Sequence, residues 1–191
     1  MYEMTCYSWV IFTKAIAITV TIQPNDHSFM PSIHLRTEIK APIELVFDLA
    51  RSIDLHEHSM EHTNEKAIAG RTSGLVQQGE TVTWQAKHLG ITQKLTSKII
   101  AVQPHHYFAD EMKSGAFKRF KHEHFFETSS NGCIMRDIFD YDSPLGILGS
   151  LVDAIFLKKY MTDLLKRRNQ LLKEFAESDR WKNLPGMREN Y

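Results

Sequence analysis

The sequence predicts an α+β fold, in which a curved antiparallel sheet of about seven strands wraps around a long C-terminal helix. Two patterns predict it. Between residues 79 and 141, apolar and polar residues alternate in segments separated by turns that contain glycine, which is typical of consecutive β-hairpins. From Ile147 to Ala176, apolar residues instead recur every three or four positions, which indicates one amphipathic helix. This helix is expected to lie across the sheet, because its apolar side needs cover.

The first strand and two short helices are expected between Ser32 and Met60. Apolar and polar residues alternate strictly from Ser32 to Lys40, so one face of this strand should be buried. Pro42 suits the first turn of a helix, because the N–H that proline lacks has no partner there. Apolar residues at helical spacing follow, and a second short helix or helical turn is expected from Ser52 to Met60.

Six further strands are expected after these helices. They cover Lys66–Gly70, Gly79–His88, Ile91–Val102, His106–Met112, Phe117–Thr128 and Cys133–Tyr141. The turns at Lys113–Gly115 and Ser129–Gly132 both contain glycine, which supplies the positive φ that tight turns require. Pro144 then ends the last strand.

Counting outward from the two turns predicts which residues face each other. A four-residue turn at Ser129–Gly132 places His124 opposite Asp137, and a tight turn at Lys113–Gly115 places Phe108 opposite Phe120. One face of the sheet then carries Phe108, Asp110, Met112, Phe120, His122, His124, Phe126, Met135, Asp137, Phe139 and Tyr141. Most of these side chains are large and apolar, as the wall of a ligand cavity should be.

Four ionisable side chains lie within this apolar face: Asp110, His122, His124 and Asp137. Such groups are costly to bury unless they are paired or solvated. Three interpretations stay open. The groups could anchor the polar part of a ligand, or His124 and Asp137 could form an acid/base pair. Alternatively, the pair could be a buried contact that fixes strand register.

A metal site is the competing interpretation. His122 and His124 point the same way from one strand, and with Asp110 or Asp137 they would approximate a facial triad. The segment His56–His62 also contains an H-x-x-E-H spacing, but its neighbours are polar and no third ligand is apparent. Neither set has the supporting context of a metal site, so no metal and no cofactor are expected.

Trp84 and Arg168 complete the candidate ligand-binding residues. Trp84 lies mid-strand on an inward face, where it is either core or a platform for a ligand, and its indole N–H needs a partner when buried. Arg168 interrupts the apolar stripe of the long helix, and it either extends to solvent or reaches a carboxylate in the cavity.

Composition limits the partners. The chain has 191 residues, with 23 Lys and Arg against 23 Asp and Glu, so its formal net charge is 0. A nucleic-acid binder would carry a basic excess, so no nucleic-acid partner is expected. Two cysteines offer neither a disulfide framework nor a zinc-ligand set, which favours a reducing, cytoplasmic setting.

The domain is expected to cover residues 30–178. Residues 1–29 should form an extension outside it, whose apolar stretch at residues 8–22 is interrupted by Lys14. That stretch is shorter than the about 20 residues of a membrane span, so no stable membrane insertion is expected. Residues 179–191 are expected to be a polar C-terminal tail that frays.

Five segments resemble one known superfamily. They are EIKAPIELVFDLA (38–50), GETVTWQAKHLG (79–90), FADEMKSGAFKRFKHEHFFE (108–127), MRDIFDYDSPLG (135–146) and YMTDLLKRRNQLL (160–172). The chain from residue 31 to about 176 resembles the helix-grip superfamily of START-like and Bet v 1-like domains (SRPBCC), in particular its bacterial polyketide cyclase/dehydrase-type branch. The first 29 residues have no counterpart in that family.

The resemblance implies a cavity between sheet and C-terminal helix that binds a small, mostly apolar ligand of lipid, polyketide or aromatic type. Two alternatives stay open: a cyclase- or dehydratase-type enzyme with His124 and Asp137 as its catalytic candidates, and a protein-interaction module with a filled core. The first hypothesis assigns ligand contacts to Trp84, Phe108, Asp110, Phe120, His122, His124, Phe126, Asp137, Tyr141 and Arg168. The sequence does not predict the oligomeric state.

Overall fold

Seven antiparallel strands form one sheet, and a long helix lies against its inner face. The structure, a computed structural model, describes residues 31–88, 90–142 and 146–187. The strands are β1 (Ser32–Ile39), β2 (Lys66–Gly70), β3 (Thr81–His88), β4 (Ile91–Gln103), β5 (Tyr107–Ser114), β6 (Arg119–Ser129) and β7 (Gly132–Asp142). Their order in the sheet is β1-β7-β6-β5-β4-β3-β2, so the first strand pairs with the last. The predicted α+β helix-grip fold is confirmed.

Three helices accompany the sheet: α1 (Ile43–Arg51), α2 (Ile53–Ser59) and α3 (Gly146–Ala176). The backbone of Pro42 takes an extended conformation just before α1, which suits its fixed φ. Ser52 separates the two short helices. Its hydroxyl accepts a hydrogen bond of 3.2 Å from the N–H of Leu55, which satisfies a donor at the start of α2.

The β6–β7 hairpin has the predicted register. His124 pairs with Asp137 and Phe126 with Met135 across the tight turn that ends at Gly132. Glycine is required there, because its φ is +142° and a side chain would meet the backbone of β1 and the residues after it. The short, well-defined turn is the reason why the count from the sequence succeeds.

The predicted pairing of Phe108 with Phe120 in the β5–β6 hairpin is wrong. Phe108 pairs with His124, and Asp110 pairs with His122. The connection is a wide loop instead of a tight turn, because β5 continues along β4 to Ser114. The register moves by an even number of residues, so every predicted inward-facing side chain keeps its face.

Two apolar clusters lie between the sheet and α3. The sealed cluster contains seventeen buried residues, among them Val46, Phe47, Phe126, Met135 and Leu172. The half-open cluster has five buried residues: Ile33, Phe120, Phe139, Tyr141 and Leu165. Six further apolar side chains pack against it while only partly buried: Leu35, Leu95, Met112, Phe117, Leu157 and Met161. A third, smaller cluster lies under α2 and contains Trp84.

The C-terminal segment differs from the predicted frayed tail. Residues Asp179–Asn183 form a 3-10 turn after α3. Leu184 and Met187 are buried in the sealed cluster, and Met187 has no exposed surface. The packed chain therefore continues to Met187, because two apolar residues in a polar segment suffice to hold it on the core. The predicted extension at residues 1–29 lies outside the described residues.

Candidate functional site

A band of polar side chains separates the two large apolar clusters. On β6, for example, His122 and His124 lie between Phe120 of the half-open cluster and Phe126 of the sealed cluster. The same order of apolar, polar and apolar residues occurs on β1, β5, β7 and α3. We call the seven side chains of this band the polar belt: Thr37, Asp110, His122, His124, Asp137, Arg168 and Asn169.

Asp137 and His124 are the most buried members of the polar belt, each with 1% of its surface exposed. Oδ2 of Asp137 accepts a hydrogen bond of 2.6 Å from the side-chain amide of Asn169 on α3. Oδ1 of Asp137 lies 2.6 Å from Nδ1 of His124 and 3.4 Å from Nε2 of His122. The His124 contact is short in distance, although the ring is not aimed along an ideal hydrogen-bond direction. Asn169 also donates to Thr37, at 3.3 Å, so one amide ties α3 to two strands.

These contacts determine the protonation states. Burial and, to a smaller extent, the neighbouring His122 lower the pKa of His124 to about 3, against the opposing effect of Asp137. Burial alone would raise the pKa of Asp137, but the close contacts with His122 and His124 outweigh it and hold that pKa below its usual range. At neutral pH the pair is therefore a neutral imidazole against a carboxylate.

Asp110 extends the polar belt onto β5. It lies directly across from His122 and is only partly buried. Burial raises the pKa of Asp110, while His122, Arg168, His56 and a hydrogen bond from Ser97 oppose that rise.

His56, Glu65 and Asn169 are neighbours that sequence reasoning missed. The His56 ring stacks on Trp84 with centroids 4.2 Å apart, and its Nε2 lies 3.1 Å from Oε1 of the buried Glu65. Burial would raise the pKa of Glu65, but the hydrogen bond from His56 lowers it below the usual value. Asn169 could have been found, since it interrupts a second apolar stripe on α3 at Leu165 and Leu172.

The ten predicted ligand-binding residues all lie on the inner side of the fold. His122, His124 and Asp137 form one contact group, with Asp110 beside it. The apolar candidates Trp84, Phe108, Phe120, Phe126 and Tyr141 are all at least nine-tenths buried. Phe108 stacks on His124, with ring centroids 4.1 Å apart. Whether these residues contact a ligand remains a prediction.

Arg168 takes neither of the two predicted positions. Its Nη2 donates a hydrogen bond of 3.0 Å to the backbone carbonyl of Ala50 at the end of α1. The guanidinium is therefore turned inward and held by the backbone instead of by a carboxylate. Its charge still acts on Asp110 and on Glu65, whose pKa values it lowers.

Two sets of metal-ligating residues can be compared. One side-chain atom each from Asp110, His122 and His124 lies within 4.8 Å of the other two. In the H-x-x-E-H segment, by contrast, His58 contacts Glu61 at 2.9 Å on the exposed surface. No second group of three such residues occurs in the described part of the chain.

Two clefts and one buried cysteine lie outside the polar belt. One cleft lies between Gly70–Ser73 and Gly79–Thr81, and another on the outer face of β5 and β6 beside Tyr107 and Phe125. Both are open to solvent. Cys133 is fully buried, and burial raises the pKa of its thiol to about 11, so it is not an activated nucleophile.

The fold and the polar belt define a helix-grip protein, in which a curved sheet encloses a long C-terminal helix over a partly polar interior. The model of the family "Polyketide cyclase / dehydrase and lipid transport" matches residues 39–167. The chain therefore belongs to that family, within the START-like and Bet v 1-like superfamily that the sequence motifs indicate.

Solved structures share the fold at low sequence identity. TTHA0849 from Thermus thermophilus has a TM-score of 0.60 and 16% identity, over 76% of this chain and 99% of that one. Ginseng major latex-like protein 151 from Panax ginseng has a TM-score of 0.58 and 13% identity, over 78% of this chain and 99% of that one. The di-domain ARO/CYC StfQ from the steffimycin biosynthetic pathway has a TM-score of 0.59 and 13% identity, over 78% of this chain and 51% of that one.

No curated protein matches the chain. Among the described residues, no helix has both the length and the apolar character needed to cross a membrane.

Proposed function

We propose that the protein binds a small, mostly apolar ligand between the sheet and α3, with the polar belt holding the polar group of that ligand. The observation that carries the proposal is the pair of polar atoms, Nε2 of His122 and Oδ1 of Asn169, that are buried without a hydrogen-bond partner among the described residues. Buried polar atoms are costly when unsatisfied, and a ligand that offers one donor and one acceptor would satisfy both.

The half-open cluster supports a position for the apolar part of the ligand. Leu95 and Met112 on the sheet, and Leu157 and Met161 on α3, pack against this cluster while only partly buried. Ligand sites are lined mainly by apolar side chains, and these four leave surface that a ligand could cover. The family includes polyketide cyclases and lipid transport in its description, which fits an apolar ligand.

A filling substitution tests this position. Met161→Trp would occupy the proposed space, and we expect it to weaken binding of dansyl-labelled undecanoic acid by about tenfold or more, equivalent to about 1.4 kcal/mol. Ile68→Trp is the matched control, because Ile68 is 43% exposed on β2. Fluorescence titration measures both. Equal binding by Met161→Trp and the parent, or no binding by the parent, would contradict the proposal and favour a filled core.

Cyclase or dehydratase chemistry is the second candidate function. The 2.6 Å contact of His124 with Asp137 favours it, because it matches a base held by an orienting carboxylate. The pKa of about 3 opposes it, since such an imidazole is a weak base at neutral pH. Mass spectrometry of a poly-β-ketone thioester incubated with the protein separates the two. A dehydrated product formed by the parent but not by His124→Gln would establish catalysis.

A further inference from the structure

Three metal-ligating side chains converge on adjacent strands in the polar belt. Asp110 on β5 lies directly across from His122 on β6, and His124 follows two residues later on the same face. One ligating atom from each lies within 4.8 Å of the others. At this separation, small rotations would bring all three atoms to a single ion. Paired strands also hold such side chains more firmly than loops do.

We propose that Asp110, His122 and His124 bind one divalent transition-metal cation. Two imidazoles and one carboxylate form the ligand set that leaves further coordination positions open, as in sites for Zn²⁺ and Fe²⁺. The inference goes beyond the proposed ligand-binding function and does not depend on it, and it assigns to the cation the His122 nitrogen that the proposed function leaves to a ligand. It also departs from the expectation, drawn from the sequence, that no metal is bound.

The contact between Asp137 and His124 provides the second observation. Metal-bound histidines commonly donate their other ring N–H to a carboxylate, which fixes the tautomer and the ring orientation. Nδ1 of His124 lies 2.6 Å from Asp137, which leaves Nε2 as the nitrogen free to ligate. Asn169 in turn donates to Asp137 and holds that carboxylate in place.

The partner-free nitrogen of His122 is the third observation. His122 is 6% exposed, and its Nε2 has no hydrogen-bond partner among the described residues. Such an atom is costly to bury unless something binds it. A cation shared with His124 would use this nitrogen, because the two imidazole centroids lie only 4.0 Å apart.

Cobalt titration tests the inference on the full chain. The protein is treated with EDTA, dialysed, and titrated with Co²⁺ while the visible absorption of the bound ion is recorded. We expect about one Co²⁺ per chain, displaced by Zn²⁺, and a rise in melting temperature with added Zn²⁺. Asp137→Asn should weaken Co²⁺ binding by about 10- to 100-fold, as loss of an outer carboxylate does.

Two ligand variants and one control identify the site. His122→Ala and Asp110→Asn should each abolish the cobalt spectrum. If circular dichroism shows that His122→Ala is unfolded, Asp110→Asn alone tests the site. His58→Ala removes the exposed histidine of the H-x-x-E-H segment and should leave the spectrum unchanged. A folded parent that binds no stoichiometric Co²⁺, or binding that survives Asp110→Asn, would overturn the inference. Binding of the dansyl fatty acid by the EDTA-treated protein reports separately on the proposed function.

Discussion

The two apolar clusters on either side of the polar belt differ in how completely they are closed. In the sealed cluster, Val46, Phe47, Met135 and Leu172 are all at most 2% exposed. In the half-open cluster, more apolar side chains are partly buried than fully buried. Complete burial is typical of a packed core, whereas partial burial leaves surface that a ligand can cover. The comparison thus associates stability with the sealed cluster, and the proposed function would use the half-open cluster for binding.

The largest expected effect comes from truncation in the sealed cluster. Phe47 packs edge-on against Phe108 and Phe126, with ring centroids 5.9 and 5.3 Å away. Phe47→Ala should lower the free energy of unfolding by about 4 kcal/mol, because it leaves a cavity in a closed core. Met161→Ala in the half-open cluster should cost about 1 kcal/mol. Urea unfolding measures both, and equal losses would show that the two clusters do not differ.

Removal of the central carboxylate should have the next largest effect. Asp137→Ala leaves the Asn169 amide without its acceptor and removes the carboxylate beside the His124 ring in a buried site, which should cost about 3 kcal/mol. The matched control is Asp163→Ala, which removes an exposed ion pair with Lys159 and should change stability by less than about 0.5 kcal/mol. Urea unfolding at neutral pH compares them. A small loss for Asp137→Ala would mean that the polar belt does not join the two clusters energetically.

Per pH unit, the smallest of the three effects is a pH dependence. The pKa of His124 is about 3 in the folded protein against an ordinary value of 6.5, so the unfolded chain binds more protons between these values. Stability should therefore fall as pH decreases from about 6.5 toward 3, by at most about 1.4 kcal/mol per pH unit from this residue. Asp137, whose pKa is also lowered, adds to the loss at the acidic end of this range.

His124→Gln should flatten this part of the stability profile, measured by urea unfolding at a series of pH values. His58→Gln is the matched control, because it makes the same substitution at an exposed histidine. An identical slope in the parent and in His124→Gln would show that the buried imidazole is not the origin of the pH dependence.

The sequence predicted the inner face of the sheet well because alternation on a strand is a local property. Every residue predicted to face inward does so, including those of the hairpin whose register was wrong. The β6–β7 register follows from a tight turn at Gly132, whereas the β5–β6 register depends on how far β5 follows β4, which no local signal specifies.

The composition of the polar belt was harder to predict. Asp110, His122, His124 and Asp137 lie on strands that the alternation identifies. Asn169 and His56 lie on helices, where two overlapping apolar stripes give different inward faces. Glu65 lies in a short connection and acquires its role only through contact with His56. Contacts between elements that are distant in sequence, such as Asn169 with Asp137, have no pattern that a single sequence can reveal.

The pairing of the first strand with the last has a consequence for how the chain is synthesised. Ile33 on β1 faces Phe139 on β7, and the sealed cluster also needs Leu172 and Met187. About a hundred residues must be made between the two strands before they can meet, and the core closes only after residue 187 has left the ribosome. Contacts between segments this far apart in sequence form slowly, so β1 stays unpaired during translation. Chaperones that shield exposed strand edges are therefore expected to engage the nascent chain.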